Sequence, residues 1–462
     1  MTNKIQSYLN SKTEAYPLVI FRIMFGFIMA FSMIRFYSKG WIKTLYLDPK
    51  FHFSYFGFEW VAPLGNATYL LFFICFILSI MIALGYYYRQ AIILFFITFT
   101  YIELMDKTTY LNHYYFISVL SFLMIFLPCN VLFSLDNLRS KIKSLVIPKW
   151  TIDSLKLLIS IIYFYAGLAK INSDWLQKAM PLKIWLPSKY NIPVIGEWLM
   201  HENWVHYVMS WGGMIYDLII PFLLLYRKTR IIGFLLVVFF HVFTSVLFPI
   251  GMFPYIMIGS ALIFFDIPFH KSIIEWFEKT LKPLKKIVFP SLSPSLNKLK
   301  LPDYQLKNSS LKLSILTVFF MLQILFPFRY LLYPGELFWT EEGYRFSWRV
   351  MLVEKMGYAN FKIVNGDNNN YFYVNNKDFL TPFQEKQMSF QPDFILEYAH
   401  FLGDHFKSQG HKNIEVYVDC FVALNGRKSR RLIDNTVNLY AQNESFKTKD
   451  WILPFNDEIK GL

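Results

Sequence analysis

The sequence predicts an α-helical multi-pass membrane bundle of about nine spans, followed by a C-terminal α+β extracytoplasmic domain. Three observations carry this. Of the 462 residues, 55% are hydrophobic and 17% charged, against roughly 45–50% and about 25% in a soluble globular chain. The apolar excess is gathered into long runs, which points to lipid rather than to a larger core. The basic residues behind the net charge of +14 sit in short loops between those runs, so anionic headgroups, not nucleic acid, are the expected counter-charge.

The runs place spans at about 17–37, 67–88, 90–105, 114–134, 153–170, 207–226, 230–248, 252–266 and 311–332. The third and eighth are short, as re-entrant or bundle-buried segments are. One set of loops carries Lys4 and Lys12, then Arg89, then Arg139, Lys141, Lys143 and Lys149, then Arg227, Lys228 and Arg230, then the lysines from Lys271 to Lys300; the alternate loops are poorer in cations. The positive-inside rule therefore puts the N-terminus in the cytoplasm, and an odd span count puts the chain after residue 332 outside. The polar start MTNKIQSYLNSKTEAYP runs straight into a full-length span and shows no cleavable signal, so that span is expected to be a retained anchor.

Segments 40–66 and 171–206 are rich in aromatic residues and interrupted by prolines, the composition of an outer-interface layer. Segment 267–310 reads as a basic cytoplasmic connector, loop-like at SLSPSLNKLKLP. The sequence divides into a membrane domain, 1–334, and a soluble domain, 335–462. In the latter, FKIVNGDNNNYFYVNN reads as strand, turn and strand, and QPDFILEYAHFLGDHFKSQG as an amphipathic helix ending at Gly410. NIEVYVDCFVALNGRKSRRLI reads as two strands about an Asn425–Gly426 turn.

Three cysteines, Cys75, Cys129 and Cys420, make neither a disulfide framework nor a cysteine-rich metal site. No HExxH, Walker loop or GxSxG occurs, so no metal is expected. Chemistry is sought instead among ionisable groups inside spans, each of which costs roughly 2.5–3.5 kcal/mol to insert. Lys170, in YFYAGLAKINSDW, is either a snorkelling lysine or a general base whose amine apolar surroundings keep neutral. His113, beside Asn112 in DKTTYLNHYYF, is either an interfacial histidine or a donor to a developing oxyanion or carbanion. His241 lies mid-span in VVFFHVFTSVLFPIGMFPY, ahead of helix-breaking Pro249, Gly251 and Pro254, where broken helices line cavities. Arg22, deep in the first span, needs a partner; Asp106 reads as an interface cap; Arg35, Glu103 and Asp217 are further span or edge charges. His52, His201, His206, His270, His400, His405 and His411 are expected at surfaces or interfaces.

These segments, together with FRIMFGFIMAF, LFPFRYLL, EEGYRFSWRVM and VYVDCFVALNGRKSRRLID, resemble the vitamin K-dependent γ-glutamyl carboxylase family, also called the horizontally transferred transmembrane domain family, in order over about residues 17–455. The resemblance implies a lyase that couples epoxidation of a reduced vitamin K, or of menaquinol, by O2 to deprotonation and carboxylation by CO2 of glutamate side chains. It implies Lys170 as the active-site lysine, Asn112 and His113 as the pair that stabilises the carbanion, and His241, Trp348 and Tyr344 as cofactor-binding. It also implies a glutamate-containing exported protein or peptide as partner, beside the bilayer and the lipophilic quinol. Ala169 stands where the vertebrate enzymes carry a second lysine, and their long lumenal region after the last matched segment has no counterpart before Leu462. Those departures suggest a bacterial branch in the inner membrane. The competing readings are a quinol epoxidase with another acceptor or none, and a non-catalytic lipid- or quinone-binding protein.

Overall fold

In hydrocarbon every backbone N–H and C=O must be bonded within its own segment, so long apolar runs close into helices. The computed structural model describes residues 2–140, 144–189, 197–280 and 309–461. Its bundle helices are α1 (Tyr16–Ser38), α2 (Ala67–Leu84), α3 (Tyr88–Leu104), α4 (Asn112–Ile125), α5 (Trp150–Leu168), α6 (Asn203–Leu225), α7 (Arg230–Leu247), α8 (Phe253–Ala261), α9 (Ile267–Thr280) and α10 (Ser309–Leu325). Of the expected cytoplasmic loops, Lys141, Lys143 and residues 281–308, which include SLSPSLNKLKLP, lie outside the described residues.

The expected count of nine spans is not reached. Six helices among the described residues are long and apolar enough to cross a bilayer, or seven if Phe253–Phe264 and Ile267–Phe277, bent by 115°, count as one. The shortfall is one of length. The 17 residues of α3 and the 14 of α4 rise about 25 and 21 Å against a hydrocarbon core of about 30 Å. Both still join the two ends of the bundle. At one end the amides of Tyr87 and Tyr88 donate to Asp136 and Tyr88 Oη donates to the Met124 carbonyl. At the other, Lys107 N donates to the Phe53 carbonyl and Asn112 Nδ2 to that of Arg349. The first end also holds strands β1 (Lys12–Glu14) and β2 (Val146–Pro148), paired antiparallel.

Arg22 does find partners, and they are carbonyls rather than a carboxylate. Its guanidinium, wholly buried, donates to Ile82 O in the last turn of α2 and, at 2.5 Å, to Phe133 O, where the helix dipole favours a cation. Gly85 (φ +62°) makes room: a Cβ there would stand 1.8 Å from Arg22 Nη1.

The C-terminal region follows the expected order. Strands β3 (Lys355–Asn365), β4 (Tyr371–Tyr373), β5 (Ile414–Leu424) and β6 (Arg430–Arg431) form an antiparallel sheet in the order β4-β3-β5-β6, with Lys355 opposite Leu424 and Asn365 opposite Ile414. Every second residue of β5 is buried, and helix α11 (Pro392–Ser408) lays Phe394, Ile395, Tyr398 and Leu402 against the sheet. Asn425 and Gly426 take positive φ in the turn after β5, as a tight hairpin requires. This core also takes in Phe53, Trp175, Trp185 and Phe248 from the bundle's near end.

Buried ion pairs hold that junction. Lys107 meets Asp393 at 3.2 Å and Glu397 at 2.8 Å, and Arg345 meets Asp393 at 2.7 Å. Burial alone would raise the Asp393 carboxyl, but Arg345 and Lys107 hold it well below the usual range. Asp106 caps the turn at Thr108, as expected, and also accepts from Gln384 and pairs with His52. Two histidines expected near the surface are instead buried, because they face apolar helix surfaces and bond to carbonyls: His206 to Met200 O and His270 to Asp266 O.

Candidate active site

Lys170 follows the last turn of α5. The small Ala166 and Gly167 shape what surrounds it. A Cβ on Gly167 would lie 2.8 Å from Leu218, so α6 can approach only because that side chain is missing. Beside Leu218 stands Asp217, whose Oδ2 accepts from Lys170 Nζ at 2.7 Å; the same ammonium donates to Ala166 O at 3.0 Å and lies 5.5 Å from the Trp175 ring centroid. Both side chains are about nine-tenths buried, 8% exposed each. Lys170 therefore does not snorkel, and it is not alone in its apolar surroundings: it has a carboxylate partner. The rest of INSDW holds this corner. Asn172 caps the next turn by accepting from Trp175 N, Trp175 Nε1 donates to Ser210 O on α6, and Asp174 takes a bidentate contact from Arg427 of the C-terminal region.

One α-helical face carries the site inward. Tyr163 is seven residues before Lys170, two turns back on α5, and its hydroxyl bonds His241 Nε2 at 2.9 Å. Tyr216, next to Asp217, lies 6.0 Å ring to ring from Tyr163 and 6.4 Å from His241. His241 Nδ1 is buried without a hydrogen-bond partner. Phe253, opening α8 after the break, lies 5.5 Å from His241 and 6.0 Å from His113. At that break Gly251 takes φ +65°, and a Cβ there would sit 3.4 Å from Arg35 Nη1 and 4.0 Å from His113 Nε2. Lys170, Asp217, Tyr216, His241, Phe253 and His113 thus form one continuous run of neighbours.

Asn112 opens a second arm. Its Nδ2 donates to Arg349 O and its Oδ1 accepts from Tyr110 Oη, which in turn accepts from Phe346 N. The chain at 346–351 is bent for this: Phe346, Trp348 and Met351 all have φ between +55° and +60°, a region costly for non-glycine residues. The bend drives Trp348 into the bundle core, 1% exposed, tilted against Tyr115 with its indole N–H unpartnered. Tyr344 goes elsewhere. It packs against Phe338 on the C-terminal core, and burial pushes its phenol upward.

Residues 10–268 match the HTTM domain family, and residues 308–458 match the lumenal domain of vitamin K-dependent gamma-carboxylase. The chain belongs to the gamma-glutamyl carboxylase family. No solved structure matches it. In this carboxylase-family chain the two matched regions meet where Asn112 bonds Arg349 and Asp174 bonds Arg427.

Sequence reasoning passed over three members of the carboxylase-family cluster. Asp217 stood only as an edge charge, although a buried lysine calls for a carboxylate. Tyr163 shares a helix face with Lys170, a seven-residue spacing legible in the sequence. Tyr216 carried no signal beyond adjacency to Asp217. Among the described residues no group of His, Cys, Asp and Glu is arranged to hold a metal ion.

Proposed function

We propose that this chain is a quinol-dependent glutamyl carboxylase, with the bundle to about residue 334 in lipid and the remainder outside, N-terminus cytoplasmic, in a bacterial inner membrane. The observation that carries the reading is the buried Lys170–Asp217 pair, 2.7 Å apart and in contact sequence with two buried histidines. Reduced vitamin K or menaquinol, with O2, supplies the strong base that takes the γ-proton of a glutamate before CO2 adds, leaving quinone epoxide and water.

What the chain contributes is proton handling in a dry site. Lys170 Nζ, held by Asp217 Oδ2 and Ala166 O, is the group placed to exchange a proton with the substrate hydroxyl, and Asp217, hydrogen-bonded to it, is the carboxylate that can share that proton. His113, with Asn112 oriented by Tyr110 and the Arg349 carbonyl, donates toward negative charge developing on glutamate. The unpartnered Trp348 Nε1 is a donor free to orient a quinol oxygen, and His241 Nδ1 is a second one in the tautomer whose Nε2 accepts from Tyr163 Oη.

The test is a paired assay on purified protein given a reduced naphthoquinone, O2, labelled CO2 and a glutamate peptide. Both epoxide and fixed label should form, and both should disappear in a folded Lys170→Ala variant. Epoxide without fixed label would establish the epoxidase alternative; no turnover of either kind would overturn the enzymatic reading.

A further inference from the structure

Two cavities adjoin where α10 passes into the C-terminal region. One, about 340 Å³, is apolar, with Phe58, Phe96, Val119, Phe122, Phe319 and Phe346 in its wall. The other, about 370 Å³, is walled by charged groups. Tyr55, Phe58, Leu104 and Phe346 line both, whereas Lys170, Asp217, His113 and His241 line neither.

The charged chamber has groups of both signs that are not fully hydrogen-bonded by side chains. Lys107 and Arg345 are taken up by Asp393, Glu397 and Gln391. Arg329, by contrast, donates among the described residues only to backbone carbonyls, those of Phe326 and Arg345. Glu342, its side chain 4% exposed, is ion-paired with Lys449 at 3.7 Å, but its Oε1 has no hydrogen-bond partner among the described residues. Burial pushes the Glu342 carboxyl up and the Glu444 carboxyl up to about 7. A guest that satisfied these groups would need an anionic end for Arg329, an N–H-bearing cation for Glu342 and Glu444, and an apolar part for the second chamber.

We propose that the joined chambers bind an aminophospholipid from the leaflet on the C-terminal side: phosphate at Arg329, primary ammonium between Glu342 and Glu444, one acyl chain in the apolar chamber. An anionic headgroup brings no cation to Glu342 and Glu444, and its hydroxyls meet them only as neutral donors. A choline headgroup has no N–H to give Glu342 Oε1.

The experiment is native mass spectrometry of the delipidated full chain in detergent, titrated with dioleoyl phosphatidylethanolamine, phosphatidylcholine and phosphatidylglycerol. One phosphatidylethanolamine should bind, about tenfold tighter than either other lipid. Glu342→Gln should erase that preference, and Val119→Trp, which fills the apolar chamber, should weaken all three lipids. Glu444→Gln, on a partly exposed loop, serves if either variant fails to fold. Equal affinity for the three lipids, tighter phosphatidylglycerol, or unchanged phosphatidylethanolamine binding in the folded variants would overturn the proposal. Quinol turnover is a separate readout, so its failure leaves this result standing.

Discussion

Two buried lysines, one in each half of the junction, are satisfied in opposite ways. Lys107 is 2% exposed and has two carboxylates, Asp393 and Glu397, with Arg345 tying Asp393 in turn. Lys170 has one carboxylate, Asp217, one carbonyl and the face of Trp175. The first lysine is over-supplied with negative charge and keeps its proton, as a docking contact should. The second has one carboxylate partner against two for the first. Burial alone does not mark a lysine as chemical; the number of acceptors around it does.

The sharpest way to break the comparison is to remove each amine. Lys170→Ala should lower quinol epoxidation by about 10²–10⁴-fold in the folded fraction of detergent-solubilised protein, beyond the melting loss that comes from leaving Asp217 unpaired. Lys107→Ala should cost stability alone. It strands Glu397 and leaves Asp393 to Arg345, costing about 3–5 kcal/mol, and should lower the apparent melting temperature while the folded fraction keeps its turnover. Were both variants to lose stability alone, the two lysines would be equivalent and the distinction void.

Asp217 sharpens it further. Asp217→Asn should lower turnover by about 10–100-fold and shift the pH–rate profile, with Asp217→Glu recovering part of the loss; a merely structural aspartate would leave the profile unmoved. Gly167→Ala comes next, because its Cβ would meet Leu218 at 2.8 Å. Overpacking of about 1–3 kcal/mol should push α6 away and slow turnover more than it weakens quinol binding.

The smallest effect is electrostatic and lies at the junction. Glu444, raised by burial to about 7, favours its protonated form when folded. Its contribution is complete below the unfolded value of about 4.5 and is lost as pH climbs through 7, about 1–3 kcal/mol in all. Asp393, held low, works in the other window: its contribution is present above about pH 4 and is lost on acidification. Melting scans should therefore show a plateau near pH 5, and Glu444→Gln should flatten only the alkaline side.

Much was legible from residue order. Apolar runs longer than about 17 residues cannot be anything but helices in lipid, and alternation in IEVYVDCFVAL with Asn425–Gly426 after it specified a strand and its turn. The chemistry of polar residues in spans named Lys170, His113, Asn112 and His241 as residues to watch, and the family resemblance added Trp348. Helix length was less legible: α3 ends and α4 begins where Asp106 accepts from Gln384 and Asn112 donates to Arg349 O, contacts with the C-terminal region that no local pattern encodes.

By itself, then, the sequence determined a membrane bundle with an α+β appendage, and that Arg22, His113 and His241 lie within that bundle, because hydropathy and periodicity are local properties of the chain. Only the tertiary structure decided what those side chains meet. Asp217 reaches Lys170 across 47 positions because Gly167 lets two helices close, and Trp348 and Asn112 are joined to the bundle by a strained bend. Partnership between distant charges depends on how closely helices approach, and that distance is set by packing across the whole bundle.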